Sequence, residues 1–83
     1  MPSRMTYIYK TRLCVWAIVP DASGFQLRWY FDGGFEISGH YKSPASAADD
    51  VAHSATGFDE WDFAQHGSEI ADIGNWQQAR SYP

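Results

Sequence analysis

From Phe25 to Phe31 the chain alternates strictly, with Phe25, Leu27, Trp29 and Phe31 set against Gln26, Arg28 and Tyr30. A period of two is that of a half-buried strand, because successive side chains leave opposite faces of the backbone. Asp32-Gly33-Gly34 supplies residues that accept the positive φ of a tight turn. Beyond it Phe35, Ile37, Gly39 and Tyr41 alternate with Glu36, Ser38 and His40. The two runs predict a hairpin whose inner face carries the aromatic set and whose outer face is polar.

Upstream, Leu13 to Val19 is apolar on both parities, the pattern of a strand covered on both sides. Turn residues from Pro20 to Gly24 then return the chain antiparallel to 25–31. These segments predict a three-stranded antiparallel β-meander over about 12–19, 25–31 and 35–41, with the doubly apolar strand at one edge. Tyr7-Ile8-Tyr9 carries the β-like composition further back. A single strand over 5–19 would be about 50 Å long at ~3.3 Å per residue, so a bend or bulge is expected near Lys10 to Arg12.

Ser43-Pro44 reads as a helix start, a hydroxyl cap followed by a proline whose missing N–H would lack a partner anyway. Ala48, Val51, Ala52 and Ala55 recur at helical spacing, and Gly57 reads as the stop, giving one α-helix over about 44–56 packed on the meander. The fold class is α+β. Residues 1–63 form the meander-plus-helix core, and 64–83 an irregular acidic and aromatic tail of the same single domain. Beyond Gly57 the apolar residues Phe58, Trp61, Phe63, Ile70, Ile73 and Trp76 are too sparse to build a second core, so this segment is expected to dock on the domain and cover the second face of the first strand.

Four Trp, five Tyr and five Phe give this short chain of 83 residues enough large side chains for one core. No apolar run reaches the ~18 residues of a membrane span and the first residues lack a secretory signal, so a cytoplasmic protein is expected. Cys14 is the single cysteine, which excludes an internal disulfide, and its apolar neighbours make it a small buried hydrophobe. Charge is uneven. Residues 1–42 hold Arg4, Lys10, Arg12, Arg28 and Lys42 against Asp21, Asp32 and Glu36, whereas residues 43–83 hold Arg80 against seven carboxylates.

No residue pattern specifies a catalytic site, a metal or a cofactor. Asp49 and His53 share a helical turn but have no further His or Cys beside them. Asp59, Glu60 and Asp62 are spaced too closely to face each other across a scissile bond, and read as a charged loop around Trp61. Gly33-Gly34 precedes a strand, not the helix a phosphate loop requires. The composition therefore suggests a non-enzymatic protein-interaction module whose partner is unknown. Its candidate surfaces are the segment bearing Trp61, Trp76, Asp59, Glu60 and Asp62, and an N-terminal edge strand that could pair in a homodimer. An alternative is an acidic inhibitor, a decoy from a mobile element for a nucleic-acid-binding protein. A weaker one is single-stranded nucleic-acid binding by Arg28, Tyr30 and His40 on the polar sheet face, against which stand too few cations to track a phosphate backbone.

Overall fold

The hairpin forms where the alternation places it, but the sheet around it is wider than the sequence pattern showed. The computed structural model describes residues 5–64 and 66–80. In chain order it has β1 (Thr6–Lys10), β2 (Val15–Asp21), β3 (Gly24–Phe31), β4 (Gly34–Tyr41), α1 (Pro44–Ala52), α2 (Asp59–Asp62), two 3-10 turns (Ser68–Ala71 and Ile73–Asn75) and β5 (Gln77–Ala79). All strand pairs are antiparallel, in the order β4-β3-β2-β1-β5. The predicted three-stranded meander is thus the centre and one side of a five-stranded sheet, within an α+β fold with one main helix.

The expected bend at Lys10 to Arg12 is a full reversal. Thr11 Oγ1 donates to the Cys14 carbonyl at 2.7 Å and accepts from the Cys14 N–H at 3.1 Å, closing a turn that sends β2 back along β1. The doubly apolar strand is consequently central rather than at an edge. The tail corrects the picture further: Gln77–Ala79 pairs with Thr6–Ile8, so the last described strand adds to the sheet instead of wrapping it.

α1 opens as its sequence implies, with Ser43 in extended geometry accepting from the Ser46 N–H at 3.2 Å. It closes earlier than Gly57. Ser54 takes a left-handed φ of 58°, and Ala55 N–H reaches the Asp50 carbonyl at 2.9 Å while Ser54 N–H reaches that of Val51. This is the helix-ending pattern glycine normally provides, here carried by a serine, which is why the sequence pointed three residues too far.

One face of the sheet holds the core. Trp16, Ile18 and Leu27 pack against Ala47, Ala48 and Val51 of α1 and against Trp61, Ile70 and Trp76 of the following segments. The small residues let α1 approach, and rings fill the space left: Trp16 lies 5.3 Å from Trp61, and Trp29 stacks on Phe58 at 5.0 Å. The tail therefore docks on the same side as the helix. Its described residues join the core cluster on that side, not the second face of β2 where the sequence reading expected them.

Candidate functional site

Register fixes what occupies that second face. Ala17 pairs with Ile8 and Arg28, Val15 with Lys10 and Tyr30, and Val19 with Gln26, so these side chains share the side opposite the helical layer. On β4 the pairing steps from Leu27–Gly39 to Arg28–Ile37, leaving Ser38 as an extra residue. A bulge of this kind reverses the side-chain parity beyond it. Gly39 and Tyr41 stay with the core, as predicted, whereas Phe35 and Ile37 turn to the outer face beside Tyr30 and Arg28. The prediction that all four share the inner face is corrected at that one residue. Ser38 is held there by donating its hydroxyl to the Thr56 carbonyl.

The outer face is thus apolar and aromatic on its β3–β4 side. Phe35 and Ile37 are 42% and 48% exposed, next to half-buried Tyr30 and Val15. Arg28 organises the group: its Nη1 donates to Tyr30 Oη at 3.0 Å, its Nε donates to Gln26 Oε1, and the guanidinium carbon stands 4.3 Å from the Phe35 ring centre. Tyr30 and Phe35 rings lie 5.1 Å apart. His40 is set beside Gln26, its Nε2 3.9 Å from Asp21 Oδ2. Arg28, Tyr30 and His40 do share a face, but with hydrophobic neighbours that the regular alternation had assigned elsewhere.

Of the other candidates, Trp61, Trp76 and Asp62 are held within the fold. Trp61 and Trp76 are 2% and 3% exposed, with indole N–H groups donating to the Val51 and Ile70 carbonyls at 2.9 and 2.8 Å. Asp62 receives Thr56 N–H, Thr56 Oγ1 and Gly57 N–H, the last two at 2.7 and 2.8 Å. Only Asp59 and Glu60 of that trio face solvent. Asp50 accepts from Tyr41 Oη at 2.7 Å, which, after burial, holds the Tyr41 phenol above the usual tyrosine range. β1 is not an edge, since β5 covers it over Thr6–Ile8; the sheet ends at β4 and β5.

A groove of about 720 Å³ opens between the β1–β2 turn and the segment after α2, floored by Trp61 and Ile70. Lys10, Arg12 and Glu69 share its lining, so it offers no single charge to a ligand. Burial raises the Cys14 thiol to about 11 against a hydrogen bond from Thr11 that lowers it. A thiol so shifted is a poor nucleophile. Among the described residues no three His, Cys, Asp or Glu side chains gather as a metal site. Among the described residues no helix is long and apolar enough to cross a membrane. Comparison with family models, curated proteins and solved structures finds no match to this chain.

Proposed function

We propose that the protein is a non-enzymatic interaction module that docks a partner protein on the β3–β4 side of the sheet face opposite the helical layer. The observation that carries this reading is the Ser38 bulge, which turns Phe35 and Ile37 outward to join Val15, Tyr30 and Arg28 in one apolar patch. Exposed large hydrophobes gathered on a single face suit an interface better than solvent, and Tyr and Arg at the centre match the composition of binding hot spots. The tryptophan segment is reassigned to the core. What remains exposed there includes Asp59, Glu60, Glu69 and Asp72 with Phe63, and these are the acidic residues left to the decoy reading.

The test compares affinity capture from native lysate on the wild type and on Ile37→Ser, with solution mass by light scattering. A protein retained by the wild type and lost by a folded Ile37→Ser variant supports the reading. Equal capture by both would remove the face from consideration, and a mass of two chains that falls to one in the variant would make the partner a second copy. Raising the salt separates the decoy alternative, whose binding to a basic cleft should weaken steeply.

A further inference from the structure

Resting on that docking face, we propose that Arg28 is its anchor and receives a carboxylate, so that the partner segment joins an Asp, a Glu or a free C-terminus to apolar side chains. Arg28 sits on β3 between Ala17 and Ile37, half-buried, with its guanidinium against Phe35 and two of its donors taken by Gln26 and Tyr30. A guanidinium has five N–H donors in a planar fork. The others meet no carboxylate: the ion pairs among the described residues are those of His40 with Asp21 and His53 with Asp49.

Three features turn this into a receptor for one anion. The side chain is held on three sides before any partner arrives, which lowers the ordering cost of binding. Its charge lies among apolar side chains, where an arriving carboxylate forms a charge-assisted bond that strengthens as the partner displaces water. The aromatic and aliphatic neighbours supply the contact area that a lone ion pair lacks.

The same geometry disfavours the other occupants. Backbone-tracking nucleic acid needs a row of cations, and Lys10 is the one other Lys or Arg among the strand positions of this face. Among the described residues carboxylates of this face stand only at its turn ends, Asp21 and Asp32, so a second copy stacked face to face brings Arg28 no counter-charge from the strands.

The experiment selects phage-displayed random peptides on the intact protein, then titrates synthetic peptides by calorimetry against wild type, Ile37→Ser, Arg28→Lys and Arg28→Met. Ile37-dependent peptides carrying a carboxylate are expected, with affinity falling at least about tenfold on Arg28→Met and also on Arg28→Lys, which keeps the charge but not the fork. Amidating the peptide carboxylate should cause the same loss, and the two losses should not add. Ile37-dependent peptides that lack a carboxylate, or that bind Arg28→Met as well as wild type, would overturn the anchor and leave the docking reading standing. Absence of any Ile37-dependent peptide would overturn both. Oligothymidine binding that depends on Ile37 and Arg28 would overturn both in favour of nucleic acid. Thermal melts verify each variant; should Arg28→Met unfold, Arg28→Lys carries the comparison.

Discussion

The Trp61 indole N–H donates to the Val51 carbonyl at 2.9 Å, so a residue beyond α1 closes the last turn of that helix from inside the core. Trp16 is buried just as fully, yet among the described residues its Nε1 has no hydrogen-bond partner. Removing a bonded group forfeits its hydrogen bond, whereas removing a stranded donor ends a desolvation cost. Trp61→Phe should therefore destabilise more than Trp16→Phe, by ~1–2 kcal/mol, although both lose similar ring area. Trp61→Ala should cost ~3–5 kcal/mol. Urea denaturation of the variants checks this, and equal losses for the two Phe variants would contradict it.

Asp62 differs from its neighbours in what it touches. It alone of the acidic trio gathers three donors from Thr56 and Gly57, and Thr56 in turn gives its carbonyl to Ser38 at the β4 bulge. Asp62→Ala should lower stability by ~2–3 kcal/mol, whereas Asp59→Ala and Glu60→Ala should stay within ~0.5 kcal/mol of wild type. Denaturant midpoints on the three single variants measure the difference. A neutral Asp62→Ala would break the link between this turn and the bulge.

What the sequence disclosed follows from period and turn chemistry. Alternation over 25–31 and the Ser43-Pro44 start were legible because each is written in consecutive residues. The bulge was not, since Phe35-Glu36-Ile37-Ser38-Gly39-His40-Tyr41 alternates without a break, and only the skipped pairing of Ser38 reveals that half the strand faces the other way. β5 was hidden for a related reason: three residues, Gln77–Ala79, become a strand through pairing with β1, not through composition. The docking surface fell between these two limits. Arg28 and Tyr30 were visible as a polar face; Phe35 and Ile37, which make it adhesive, were not.

Gly24 starts β3 with φ of 151°, and a Cβ placed on it would lie 2.5 Å from the Tyr41 carbonyl oxygen. That oxygen belongs to the backbone of the adjacent strand and cannot swing aside as a long side chain would. Gly24→Ala should cost ~2–4 kcal/mol through strain and the forced separation of β3 from β4. Gly33→Ala meets no atom within 4 Å and carries only its positive φ of 98°, so it should cost ~1–2 kcal/mol. Thermal unfolding of the pair should preserve that order.

Stability should fall in alkali, and in a defined sequence. Burial lifts the Cys14 thiol from 9.0 to about 11, and burial with the Asp50 hydrogen bond and charge lifts the Tyr41 phenol above its ordinary 10.0. Both groups are neutral acids favoured by folding, so their contribution is complete below their unfolded values and is lost as pH rises through the folded ones. Cys14 begins to weaken the fold above about pH 9, and its shift corresponds to ~2–3 kcal/mol by pH 11, with Tyr41 adding to the slope at the upper end. Denaturation midpoints taken between about pH 8 and 11 should decline for the wild type, and Cys14→Ala should remove the earlier part of that decline. Parallel declines in the two proteins would place the alkaline sensitivity somewhere other than the thiol under the β1–β2 turn.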